Sequence, residues 1–196
     1  MSYYLTIESF RRAKVTLILI SINFLCFIIV NVINGGSSLN VVWLYYPDVV
    51  NKGEWWRLVT AIFFHRDIAH LISNMIALIV FGSFMEQNYR IWEYLLIYLT
   101  SGIVGCLFSL WYNPFNSAGL GASGAIFGIM GAAFIANARQ NKNYLLFSLI
   151  YLVWDIYRSF DPGIGTWSHI FGLASGLILG FIIHRQKFNQ SKYDFK

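Results

Sequence analysis

The stretch GASGAIFGIMGAAFIANA, residues 121–138, decides how the rest of the chain is read. It holds eighteen residues without a charge, and glycine or alanine recurs so often that one face of a helix there is almost bare. A helix that is apolar all round belongs in a large core or in a bilayer. At its head stands Ser123, and a hydroxyl at the mouth of such a helix is tolerated mainly when it has a partner or a task.

Similar apolar runs lie on both sides. Their lengths predict spans over 15–33, 69–86, 91–111, 121–138, 143–158 and 167–184, close to what a helix needs to cross ~30 Å of hydrocarbon. Hydrophobic residues make up 57% of the chain and charged residues only 12%, which excludes an ordinary soluble domain. The expected fold is all-α: a polytopic membrane protein, a six-transmembrane-helix bundle forming one domain over residues 1–196. Short connections favour a compact bundle, with no second domain at either end. The longest connection, about 34–66, carries Trp43, Tyr45, Tyr46, Trp55 and Trp56. Their amphipathic rings suit the headgroup region, so this first outer loop is expected to be interfacial.

Charge gives the orientation. With the N-terminus in the cytoplasm, Arg11, Arg12, Lys14, Arg90, Arg139, Lys142, Arg185, Lys187, Lys192 and Lys196 fall inside, and Lys52, Arg57, Arg66 and Arg158 fall outside. Ten against four places both termini in the cytoplasm. The net charge of +5 is then a topological signal, and no nucleic-acid partner is implied. The first apolar run is longer than a signal-peptide core and lacks an Ala-x-Ala site, so it is read as an anchor. Cys26 and Cys106 both fall within spans and are expected to be small apolar packing residues.

Three polar residues share a depth. Counting back from the basic residues at the inner ends of their spans, Arg139 to Ser123, Arg185 to His169 and Arg90 to Asn74 are each sixteen residues apart, roughly 24 Å of helix. Two ladders bear on lateral proximity: Gly124, Gly128 and Ala132 follow Ser123, while Gly172, Gly176 and Gly180 follow His169. Small residues at four-residue spacing let helix backbones approach closely in lipid. If the two ladders face one another, Ser123 and His169 come within reach.

Such a pair has a chemistry. A serine hydroxyl becomes a nucleophile when a base takes its proton, and imidazole has a suitable pKa. The free N–H groups at the head of a helix favour a developing oxyanion. His70 and Asn74, at i and i+4, share a helix face and can add side-chain donors. A third, acidic member is not evident; Asp155 and Asp161 are the nearby candidates, and a dyad is the simpler proposal. Phe127, one turn below Ser123, can offer its ring to the imidazole.

Gly-x-Ser-Gly at the head of one span (Gly121–Gly124), His-x-x-x-Asn in an earlier one (His70–Asn74) and a histidine followed by Gly-x-x-x-Gly in the last (His169, Gly172, Gly176) resemble the rhomboid intramembrane serine proteases. Each motif is weak alone; in this order on six spans they are highly specific. Trp56-Arg57, His65, Glu86, Ser101-Gly102 and Gly105 also match, and the resemblance covers about residues 43–184. It implies hydrolysis of a peptide bond in or near the transmembrane segment of another membrane protein. By this resemblance Ser123 is the nucleophile and His169 the base. Asn74, His70 and the Ser123 N–H form the oxyanion site, which Gly121 helps to shape, and Trp56 and Arg57 stabilise the outer loop. Phe127 stands where many members have tyrosine, so the ring is kept and the hydroxyl lost. The short arms resemble a minimal bacterial form in the plasma membrane. No cofactor or metal is expected; the partners are transmembrane protein substrates and the lipid bilayer, with no oligomeric state indicated. Substrates with glycine, proline or polar residues near the outer end of their span, and small side chains at the cut, are expected, because an intact helix hides its carbonyls. Two other readings stay open. One is a non-catalytic membrane protein that binds weak transmembrane helices; the other is a small transporter lined by Ser123, His169 and Asn74, against which the lack of inverted repeats weighs.

Overall fold

The structure, a computed structural model, describes residues 12–112, 118–137, 142–158 and 165–193. Arg11, Arg139, Asp161 and Lys196, used above as landmarks, lie outside these residues. Lys14–Phe27 forms α1, whose helix widens into a π-helical segment, Ile28–Ile33. The following loop holds a short helix α2 (Leu39–Val42), a strand β1 (Leu44–Tyr45), a π-helical turn (Pro47–Asn51) and a short helix α3 (Arg57–Thr60). Then come α4 (Ile68–Asn88), α5 (Ile91–Tyr112), strand β2 (Ala118–Gly119), α6 (Ser123–Asn137), α7 (Lys142–Arg158) and α8 (Thr166–Tyr193).

Helices occupy most of the described residues of each predicted stretch, and among the described residues four helical stretches are long and apolar enough to cross a bilayer: Lys14–Ile33, Ile68–Asn88, Ile91–Tyr112 and Thr166–Gln186. The apolar stretch Ser123–Ala136 is shorter, about 21 Å at helical rise. α8 continues past the predicted end at residue 184. The chain is a helical membrane protein with one small exception to an all-α reading. β1 and β2 pair antiparallel, Leu44 opposite Gly119 and Tyr45 opposite Ala118. Two residues are too few for a period-2 signal, and only the folded bundle brings them together.

Residues 124–133 of α6 are buried without a break, so the helix quoted at the outset is the central one, enclosed by its neighbours. Its glycines show how. A Cβ built on Gly172 would run into the Gly124 backbone carbonyl, and one on Gly176 into that of Gly128. One on Gly180 would sit 2.7 Å from the Ala132 Cα. The two ladders therefore face one another, and α6 and α8 touch backbone to backbone. On another side Gly128 abuts the Ser101 side chain of α5, and Gly102 of α5 abuts Ile62.

α1 is attached by a polar clasp. The Glu86 carboxylate, near the end of α4, accepts from the Thr16 N–H at 2.7 Å and the Val15 N–H at 3.1 Å. These are donors that the first turn of a helix cannot satisfy itself, and a negative charge there also meets the positive end of the helix dipole. Thr16 Oγ1 and the Tyr94 hydroxyl lie 3.3 Å apart, in space that a Cβ on Gly82 would take.

Gly176→Ala is expected to cost about 1–3 kcal/mol through overpacking, whereas Gly119→Ala, whose Cβ meets nothing within 4 Å, should change stability by less than about 0.5 kcal/mol. Unfolding of the two variants in micelles measures both; equal effects would contradict the backbone contact between α6 and α8.

Candidate active site

Ser123 is the first residue of α6, and His169 lies in the first turn of α8. Because the facing ladders bring these helix heads together, His169 Nε2 stands 2.7 Å from Ser123 Oγ. With Nδ1 protonated, Nε2 accepts the hydroxyl proton, the arrangement in which a base activates a nucleophile. The Phe127 ring stacks on the imidazole, centroids 4.3 Å apart and planes 12° from parallel. Ser168, beside His169, is held between two other helices. A Cβ on Gly105 of α5 would lie 2.7 Å from its carbonyl oxygen, and a Cβ on Gly124 would lie 2.5 Å from its Oγ. Bare backbone on both sides thus fixes the turn that carries the histidine.

The first turn of α4 supplies the next group. Asp67 caps this helix, its Oδ1 accepting from the His70 N–H at 2.8 Å. That bond, with the neighbouring Arg66, holds the Asp67 carboxyl below the usual carboxylate range. The His70 ring lies against Gly121, where a Cβ would be 2.7 Å from His70 Cε1 and 2.8 Å from Nε2. Gly121 has φ +127°, a conformation open to glycine and strained for other residues. Glycine is needed there twice, for the backbone turn and for the imidazole above it. Asn74 is buried one turn further along α4, and its Nδ2 donates to the His70 carbonyl at 2.8 Å. Sequence spacing put His70 and Asn74 on one face; the bond within their own helix was not legible there.

The segment leading to Ser123 is tied down from the other side. β2 pairs with β1, the Gly121 N–H donates to the Ala61 carbonyl at 2.8 Å, and the Ala122 N–H donates to His65 Nε2 at 3.4 Å. His65 is wholly buried, and its ring meets that of His70 edge to face at 5.0 Å. Burial, followed by the nearby His70, pushes its pKa down to about 3, so the imidazole is neutral. In the sequence His65 stood out only as a motif match, because no spacing rule links it to Ala122.

Arg57 organises the outer loop. Its side chain is buried, with Nε donating to Glu54 Oε2 at 2.6 Å and Nη1 to the carbonyls of Asn40 and Trp43 at 2.8 and 2.9 Å. Nη2 pairs with Asp48 at 3.1 Å. The guanidinium lies 5.0 Å from the centre of the Trp56 ring, near enough for a cation–π contact. Lys52 also binds Asp48, at 2.8 Å, and this hydrogen bond, with the Arg57 charge, lowers the Asp48 pKa. A planar fork meeting carboxylates and carbonyls together is a role lysine cannot fill. Trp55 and Trp56 leave about half their surface exposed. Among the described residues no three His, Cys, Asp or Glu side chains gather as metal ligands. Asp155 is on α7, and Asp161 is outside the described residues.

Residues 52–186 match the family described as Rhomboid domain. The chain is 39% identical over 134 residues to rhomboid protease GluP of Bacillus subtilis (strain 168), covering 66% of this chain and 26% of that protein. It is 36% identical over 163 residues to RHOMBOID-like protein 1 of Arabidopsis thaliana, covering 78% and 41%. With Rhomboid-type serine protease 2 of Emericella nidulans the identity is 34% over 142 residues, covering 67% and 27%. The chain thus spans between a quarter and two fifths of the length of these relatives.

The neutral state of His65 has a consequence in acid. Its folded pKa is lowered, so between its ordinary value of 6.5 and about 3 the unfolded chain binds the extra proton and stability falls as pH falls. His65→Gln should flatten that fall within this window while leaving the slope above pH 7 unchanged, measured by unfolding in micelles; parallel curves for the two proteins would contradict it.

Proposed function

The chain belongs to the rhomboid family, and from that premise we propose that it is an intramembrane serine endopeptidase working through a Ser123–His169 dyad. The observation that carries the reading is the 2.7 Å approach of His169 Nε2 to Ser123 Oγ at the head of a buried apolar helix. Ser123 Oγ attacks the scissile carbonyl carbon while its proton passes to Nε2. The tetrahedral intermediate collapses, the C–N bond breaks, and His169 returns the proton to the leaving amine. Water then attacks the acyl ester with His169 again as base; the ester bond breaks and the proton goes back to Ser123. The stacked Phe127 keeps the ring in plane through both halves of the reaction.

The oxyanion falls to donors already in place. These are the Ser123 N–H at the helix head, the His70 ring over Gly121, and the second hydrogen of Asn74 Nδ2, the first being taken by the His70 carbonyl. Gly121 leaves the room that His70 occupies. Trp56 and Arg57 serve the loop above, not the chemistry.

All six long helices cross the membrane in this account, as a single domain over 1–196 with both termini cytoplasmic, following the distribution of lysine and arginine. Being short, α6 starts part-way into the hydrocarbon, which sets Ser123 below the surface and under the aromatic loop. Substrates are transmembrane segments whose helix opens easily near its outer end, because an intact helix withholds its carbonyls from attack.

Cleavage of a single-span reporter by the purified protein in liposomes should fall about 10³-fold or more in Ser123→Ala and in His169→Ala, with folding retained. Phe127→Leu should lower turnover about 2- to 10-fold. Leucines placed at the outer end of the reporter helix should slow cutting. Undiminished cutting by Ser123→Ala would overturn the reading, and binding of reporters without any cutting by the unaltered protein would replace it with a helix-binding function.

A further inference from the structure

The mechanism above gives His65 no task, although it is wholly buried beside the site. It lies between two of the proposed parts. On one side its Nε2 accepts the Ala122 N–H; on the other its ring packs edge to face on His70, which in turn lies over Gly121. Four residues earlier in the chain, the Ala61 carbonyl takes the Gly121 N–H. Consecutive N–H groups just before Ser123 are therefore both held by the segment that leads into α4.

We propose that His65 is a positioning residue: by accepting the Ala122 N–H and backing the His70 ring, it fixes the Gly121–Ala122 peptide against which the nucleophile and the oxyanion donors are set. A peptide unit is planar, so fixing one N–H fixes the carbonyl across the same bond and the direction in which the chain continues. Here the chain continues directly into α6, whose first residue is Ser123. The peptide also follows Gly121, whose backbone freedom would otherwise let the plane turn. Only a neutral imidazole can accept at Nε2, and the burial of His65 keeps it neutral. The catalytic half of this inference rests on the protease reading; the structural half does not.

The test compares His65→Gln, which keeps an acceptor at similar reach, with His65→Met, which fills the space without a strong one. Reporter cleavage gives kcat and KM, and amide hydrogen exchange reports on residues 118–124. In His65→Met, kcat should fall about 10- to 100-fold, the worth of one buried hydrogen bond, with KM nearly unchanged and exchange at 118–124 faster. His65→Gln should recover most of both. Unchanged kcat and exchange in His65→Met, or equal impairment in the two variants, would overturn the inference. Should His65→Met fail to fold, exchange at the Ala122 amide of the unaltered protein decides. Protection like that of α6 supports the bond, and exchange at the rate of an open loop overturns it. An unaltered protein that cuts no reporter defeats the protease reading, while the exchange results still decide whether His65 holds the peptide.

Discussion

The backbone contact between α6 and α8 is the constraint from which the site follows. Lipid gives helices no hydrophobic reason to associate, so close packing and interhelical polar contacts must hold them. Where Gly172 and Gly176 leave no side chain between the two axes, the Gly124 and Gly128 carbonyls lie directly against α8. That approach sets the lateral distance at every level of the pair, including the level of Ser123 and His169. A larger residue in the ladder would move the helix heads apart, and a 2.7 Å hydrogen bond does not survive an ångström of separation.

Polar groups in so apolar a molecule are expensive unless satisfied, and three of the described ones show how that cost is offset. Glu86 meets the open end of α1, Arg57 gathers carbonyls within the outer loop, and His65 takes an N–H beside Ser123. All three join parts of the chain distant in sequence. None needs to touch a substrate. They hold elements whose apolar faces alone do not fix register or depth, since such faces slide in lipid at little cost.

Much of this was legible in the sequence because it is local or periodic. Apolar runs of about 16 to 20 residues gave the helices, and four-residue spacing gave both ladders and the shared face of His70 and Asn74. The stack of Phe127 on His169 followed from one helical turn of separation from Ser123. What was not legible depends on contacts between remote segments. The β1–β2 pair, the clasp of Glu86 on α1, the fork of Arg57 onto the Asn40 and Trp43 carbonyls, and the bond from Ala122 to His65 leave no period behind. The bond of Asn74 to the His70 carbonyl is local, but the same spacing allows the amide to point elsewhere. The family resemblance drew attention to Glu86, Arg57 and His65 without saying what Glu86 and His65 would hold.

The activation of Ser123 by His169 is the centre of the account, and covalent labelling tests it without any choice of substrate. The protein is treated with a fluorophosphonate in liposomes and the modified residue is located by mass spectrometry, beside His169→Ala. The account expects a single adduct, on Ser123, that nearly disappears in the variant. An adduct on another residue, or equal labelling of Ser123 without the histidine, would contradict it.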